Sequence, residues 1–351
     1  MTHRELFRAN QLPVLQNKMY DTETEALACP MGDVVLVQDT ETGLIYNSAF
    51  NQDLLVYDSS YQNEQAYSVV FQQHLCDVRR TIDRHFKWKG LVEIGCGKGY
   101  FLNYLRNHGY KVTGIDPAYV GEDDDNVIKK CYESGLGKPA EGIILRHVLE
   151  HIPNPVEFLT TIAKGNVYKG SIYIEVPCFD WIIQHRAWFD IHYEHVNYFR
   201  LSDLQRMFDT VLESGYLFGK QYLYVVAKLV KVCEPKATRK NMVKFPKGFL
   251  DSVSKCANLF EQGKQHVIWG GASKGVIFAL YMQRAGVNID MVVDINLAKQ
   301  GKYLAESGLC VYSPKEALQE LRAGANIFVM NPIYFDEIMA QCEGKEFKFL
   351  G

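Results

Sequence analysis

The chain has 351 residues, 47% hydrophobic and 23% charged, with a formal net charge of −3; that length calls for two or three folded units rather than one core. Near-neutral charge leaves no electrostatic footprint for a nucleic-acid backbone, and no apolar run approaches the roughly 20 residues of a membrane-spanning helix. The N-terminal MTHRELFRANQLP carries charges but lacks the apolar centre of a secretion signal, so a cytoplasmic location without nucleic-acid or membrane partner is expected.

In chain order, residues 1–62 read as a small irregular module with β-like DVVLVQ and GLIYN, followed by the tyrosine-rich VYDSSYQNEQAYSVV. A helical pattern occupies roughly 63–86. From about 90, short apolar strands (LVEIG, KVTGID, GIILRH, SIYIEV, YLYVVAKLV) alternate with helical stretches such as FLNYLRNHG. That alternation predicts a doubly wound α/β unit over 63–232. The basic, proline-bearing KVCEPKATRKNMVKFPKG marks a boundary. The pattern then restarts with QHVIWG, a GASKG turn, VIFALYMQRAG, NIDMVVD and ANIFVMN, predicting a second, Rossmann-like α/β unit over 233–351.

The nine cysteines are scattered, the nearest two 20 residues apart, so no Cys-x-x-Cys pair exists and no metal site is assigned. The acidic turn Asp123–Asp125 reads as solvated surface. Histidines are less even: His147, His151, His185, His192 and His195, five of ten, crowd one stretch. Histidine is a common general base near neutral pH.

Glu93-Ile94-Gly95-Cys96-Gly97-Lys98-Gly99 lies between a predicted strand and a helix. Glycines let such a turn close tightly and approach a ligand. The third glycine falls one residue too early for a dinucleotide loop of the G-x-G-x-x-G kind. An acid two residues before G-x-G-x-G instead suits a ligand with a cationic, amino-acid-like tail. Asp116, at the end of the next strand, is placed to accept hydrogen bonds from ribose hydroxyls. This stretch resembles class I S-adenosylmethionine-dependent methyltransferases. The resemblance implies S-adenosylmethionine as cofactor, held by Glu93, Gly95, Cys96, Gly97, Gly99 and Asp116. Arg146-His147-Val148-Leu149-Glu150-His151 resembles the "H-V-L-E-H" stretch of small-molecule members, implying Arg146 and His147 beside the cofactor and His151 facing substrate.

Trp188–Phe199 (WFDIHYEHVNYF) places an acid beside a histidine with two tyrosines nearby: a base, a group to orient it, and phenols to steady an oxyanion. Its E-H-x-x-Y-F resembles the C-methyltransferases of nucleotide-linked 4-keto-deoxysugars. So do Gly270-Gly271-Ala272-Ser273-Lys274-Gly275, Asp294-Ile295-Asn296 and Met330-Asn331-Pro332, which resemble that family's C-terminal domain. The resemblance implies methylation of carbon beside a ketone. His195 would remove the proton, Glu194 would orient it, and His151 would stabilise the enolate. Tyr57, Tyr61, Tyr67, Tyr193, Tyr198 and Lys274 are the expected substrate contacts. Two departures stand out. The family's N-terminal module holds zinc on paired cysteines, whereas this chain has only Cys29 there; and His192 stands where tyrosine is common. O- or N-methylation of a small metabolite, a non-catalytic binding subunit and a nicotinamide-dependent dehydrogenase are the competing readings; the last lacks its glycine spacing. The sugar, the nucleotide and the oligomeric state are not read from the sequence.

Overall fold

A computed structural model describes residues 3–56, 60–87, 90–121, 126–136 and 139–350. Tyr57 and Asp123–Asp125 lie outside the described residues. Seven strands form the central sheet in the order Val211–Leu217, Tyr222–Lys228, Ser171–Pro177, Gly142–Arg146, Leu91–Ile94, Val112–Ile115, Val127–Ile128. Tyr222–Lys228 runs antiparallel to its neighbours, and the other pairings are parallel. This is the doubly wound α/β sheet expected from the strand–helix alternation. Successive residues of a strand point to opposite faces, which divides Gly142–Arg146 between two cores. Ile144 packs with Phe71, Leu75 and Leu102 from the helices Val69–His85 and Tyr100–Asn107, while Ile143 and Leu145 pack with Leu159 and Ile162 from Pro155–Gly165. Because the first strand in sequence lies inside the sheet, the chain order reverses beside it, and a crevice opens at the strands' carboxyl ends.

A second sheet, all parallel, has the order Val311–Tyr312, Met291–Val293, His266–Trp269, Asn326–Val329, Lys348–Leu350. Its first strand is again central, and the Gly270–Ala272 turn leads from it into the helix Ser273–Arg284.

The N-terminal stretch departs from the irregular module expected. His3–Pro13 is an 11-residue strand pairing antiparallel with Met31–Asp39, which pairs with Ile45–Asn47. Register shifts at Glu5/Phe7 and Ala9/Leu12 interrupt the alternation, hiding the strand from a period-two reading. The sheet's fourth strand, Asn197–Tyr198, comes from the histidine-rich segment and pairs with Ile45–Asn47. The predicted boundary segment is a strap rather than a free linker: Gln38 donates to the Asn241 carbonyl and accepts from the Val243 amide, both at 2.9 Å. Among the described residues, no helix is long and apolar enough to cross a membrane.

Candidate active site

The crevice is a cavity of about 350 Å³ where the carboxyl ends of the parallel strands of both sheets meet the N-terminal module. Leu91–Ile94 delivers the glycine loop to it. Gly95 and Gly97 have φ of +77° and +55°, the left-handed region that favours glycine. A Cβ on Gly95 would sit 2.2 Å from Val148 Cγ2, whereas one on Gly97 would meet nothing within 4 Å. Gly97 thus presents open backbone to the cavity. Glu93 also lines it, buried, with Oε2 lacking a hydrogen-bond partner among the described residues. Burial pushes its carboxyl up to about 7, against the pull of Arg146. Such a carboxylate fits a ligand that brings a cationic nitrogen, as the amino-acid tail of S-adenosylmethionine does. Cys96, Arg146 and His147 line the cavity too.

Two loop residues are placed otherwise. Gly99 begins the helix Tyr100–Asn107 and does not line the cavity. Asp116 turns onto the loop itself: Oδ2 accepts from the Gly97 amide and Oδ1 from the Ala118 amide, both at 2.8 Å. Its nearest role is to brace the glycine turn.

Beneath Arg146 and His147 lies a carboxylate that sequence reasoning missed. Glu175, wholly buried in SIYIEVP, is 3.2 Å from Arg146 Nη2 and from His147 Nε2, 3.1 Å from His74 Nε2, and accepts from Tyr173 Oη at 2.6 Å. Burial alone would raise this acid, but Arg146, His74 and His147 hold it well below the usual carboxylate range. Burial opposes charge on His147, yet Glu150 and Glu175 lift its pKa to about 9. Arg146 also lies 4.4 Å from the centroid of the Phe101 ring. The only sequence signal was a lone acid within an apolar strand, since a charge seldom sits in a core unpaired.

His151, His192 and His195 converge on the cavity from two loops. The His195 ring meets His151 and His192 edge-on, with centroids 5.0 and 4.8 Å apart. Burial, with neighbouring His192 and His151, holds His195 well below its usual pKa, and burial lowers His192 to about 4 against Asp190. Both rings are therefore neutral near pH 7.

Glu194 does not pair with His195. Its carboxylate reaches the N-terminal module, accepting from Tyr61 Oη at 2.7 Å and from the Gln16 amide at 3.3 Å, and it lies 4.0 Å from His151 Nδ1. Consecutive side chains on a non-helical segment leave in different directions, so adjacency in sequence set these two apart. Burial raises Glu194, with His151 and Tyr61 opposing. Tyr61 borders the cavity, whereas Tyr67 is exposed and does not.

Tyr193 and Tyr198 leave the expected substrate side altogether. Tyr193 is buried against Phe50, and its Oη accepts from the Asn51 amide at 2.9 Å. Tyr198 donates to the His192 carbonyl at 2.8 Å and accepts from the His192 amide at 2.9 Å. They hold the histidine segment in place. Lys274 does line the cavity, but it is spoken for: Nζ lies 3.1 Å from Asp190 Oδ2, donates to Gln221 Oε1 at 2.6 Å, and stands 4.9 Å from the Trp181 ring centroid. Cys29 is buried, its thiol 3.6 Å from Met31 Sδ, and burial pushes it up to about 11.

Comparison with known proteins adds two family matches. Residues 70–211 match a methyltransferase domain, and residues 243–348 match a C-methyltransferase C-terminal domain. The C-methyltransferase NovU of Streptomyces niveus is 27% identical over 176 residues, covering 45% of this chain and 41% of that protein. The mitochondrial ubiquinone biosynthesis O-methyltransferase of Arabidopsis thaliana is 25% identical over 157 residues, covering 35% of this chain and 49% of that one. The matched region thus spans less than half the length of either relative. Among solved structures, a complex of the Haloferax volcanii Trm112 methyltransferase activator with a methyltransferase matches 50% of this chain and 95% of that one, at TM-score 0.37 and 13% identity. An S-adenosylmethionine-dependent methyltransferase from Archaeoglobus fulgidus matches 45% and 93%, at TM-score 0.33 and 20% identity.

Proposed function

We propose that this protein transfers a methyl group from S-adenosylmethionine to a carbon next to the ketone of a nucleotide-linked deoxysugar. One observation carries the reading: a single cavity holds both the open glycine loop with Glu93 and a cluster of neutral imidazoles, His192 and His195. The matches to a methyltransferase domain and a C-methyltransferase C-terminal domain support it.

When bound, S-adenosylmethionine supplies an electrophilic methyl group on sulfur. Glu93 is assigned to its amino group, the Gly95–Gly97 backbone to the close approach, and Asp116 to the ribose through the lone pairs its backbone bonds leave. His195, uncharged and facing the cavity, takes the proton from the carbon beside the ketone. His151 donates through Nδ1 to the Glu194 carbonyl at 2.9 Å, which fixes its ring at the cavity wall, where the doubly protonated form would offer Nε2–H to the enolate oxygen. Glu194 and Tyr61 hold that loop against the N-terminal module, and the three-sided enclosure shields the enolate from water. Ser273, at the start of Ser273–Arg284, lies on the wall assigned to substrate phosphate.

The test is incubation with nucleotide-linked 4-keto-deoxysugars in deuterium oxide, first without cofactor. Deuterium entering the carbon beside the ketone, followed by methyl transfer once S-adenosylmethionine is added, is the expected result. Methyl transfer without wash-out in wild type would redirect the reading to O- or N-methylation. No turnover with any acceptor would leave a binding subunit.

A further inference from the structure

We infer that Glu150, His151 and His195 form a site for one divalent transition-metal ion of the zinc(II) class inside the cavity. One ligand atom from each lies within 4.8 Å of the others, and all three residues line the cavity. Bonds of about 2.1 Å set tetrahedral donors about 3.4 Å apart, so side-chain rotation must draw the widest pair in by at most about 1.4 Å.

Each ligand carries its own argument. Glu150 is buried, its Oε1 is 3.3 Å from His147 Nδ1, and its Oε2 has no hydrogen-bond partner among the described residues. A buried carboxylate oxygen left so has lost its hydration without replacement, and a cation would answer it. His151 donates through Nδ1 to the Glu194 backbone carbonyl at 2.9 Å, which puts the ring's lone pair on Nε2. Metal-bound imidazoles characteristically make that second hydrogen bond to a carbonyl or carboxylate. His195 stands edge-on to His151, the two ring centroids 5.0 Å apart, so its ring reaches the same space. Two imidazoles and one carboxylate, with the open side facing a cavity, suit zinc(II), cobalt(II) or nickel(II) better than the oxygen-seeking magnesium. A search of the sequence for paired cysteines passes over this set, because its third member lies 44 residues beyond the second.

The consequence rests on the proposed function, though the binding does not. The His195 lone pair that would accept the substrate proton is the one the metal would take. Metal and substrate deprotonation then compete, and the ion acts as a reversible inhibitor of the metal-free protein.

The experiment uses the full chain, stripped with a chelator and desalted. Titration with cobalt(II) should produce a visible d–d band saturating at one equivalent, displaced by zinc(II), with elemental analysis giving the same stoichiometry. Glu150→Gln and His151→Ala should each weaken cobalt binding at least tenfold. Cys96→Ser, which alters a thiol lining the same cavity, should leave it unchanged. Because loss of buried Glu150 can disturb folding, His195→Gln serves as a further ligand variant, with thermal melting as the check on each. Absence of a saturable band, or equal affinity in folded ligand variants, overturns the site. In the same preparation zinc(II) should abolish methyl transfer and a chelator restore it; transfer indifferent to bound zinc overturns the competition. A protein that binds cobalt stoichiometrically but never transfers methyl would sink the proposed function and leave the site standing.

Discussion

The Tyr61 phenol donates to Glu194 across 2.7 Å, joining residues 133 positions apart. Through this bond the N-terminal module holds the loop that carries His195. Tyr61→Phe would leave the buried Glu194 with one fewer donor and raise its pKa further. Methyl transfer should fall about 10- to 100-fold, while calorimetric affinity for S-adenosylhomocysteine stays within twofold. Equal loss of both would mean that Tyr61 serves the cofactor instead.

The proposed contact of Glu93 with the cofactor's amino group would make affinity depend on pH. Its folded pKa of about 7 is raised above the unfolded value near 4.5, so its contribution to stability is complete below about 4.5 and lost as pH rises through 7. The ionised form is the one a cationic amino group needs. Affinity for S-adenosylhomocysteine should therefore strengthen between pH 6 and 8. In Glu93→Gln that trend should flatten, with weaker binding and a fold about 1–3 kcal/mol more stable at pH 8. A variant keeping the wild-type pH trend would remove Glu93 from the cofactor site.

The two loop glycines should fail in different ways. Gly97→Val projects into open space, so it should abolish cofactor binding while costing about 1–2 kcal/mol of backbone strain. Gly95→Ala meets Val148 at 2.2 Å as well as its positive φ, and should cost about 2–4 kcal/mol. Chemical denaturation and calorimetry together separate the cases; unchanged affinity in Gly97→Val would contradict the loop assignment.

Lys274 and Asp190 test what ties the second sheet to the histidine segment. Lys274→Met leaves the largely buried Asp190 without its lysine partner and facing uncharged His192 at 3.8 Å, and should destabilise by about 2–4 kcal/mol. Adding Asp190→Asn should recover part of that loss, giving a favourable coupling in a double-mutant cycle. Strictly additive losses would show that the pair contributes nothing.

On the far edge of the central sheet, Glu213 accepts from Tyr224 Oη at 2.6 Å and pairs with Arg84 and, at 2.6 Å, with His85. Arg84 leads in holding its pKa down to about 2. This depressed pKa contributes stability that is complete above the unfolded value near 4.5 and lost as pH falls toward 2. Glu213→Gln should cost about 1–2 kcal/mol at pH 7, with the difference from wild type shrinking below pH 4. A constant gap down to pH 2.5 would speak against the ion pairing.

Much of this was legible in the chain alone, because its signals are local. Strand–helix alternation, the left-handed turns of the glycine loop and the crowding of histidines each depend on residues within a few positions of one another. His3–Pro13 was not legible, since bulges break its alternation and its partner strand lies across a turn and a short helix. Neighbouring identity also misled: Glu194 and His195 stand side by side in sequence, yet one side chain braces Tyr61 and the other enters the cavity. Tyr193 and Tyr198 carry the same phenol as Tyr61 but spend it on backbone atoms. Glu175, unremarkable in an apolar run, gathers Arg146, His147 and His74 once the sheet is assembled. Composition and spacing therefore determined the fold class and the cofactor-loop motif. Tertiary packing decided the direction of each side chain, and with it which donors, acceptors and metal ligands share one space, because long-range pairing sets those directions and sequence neighbours do not.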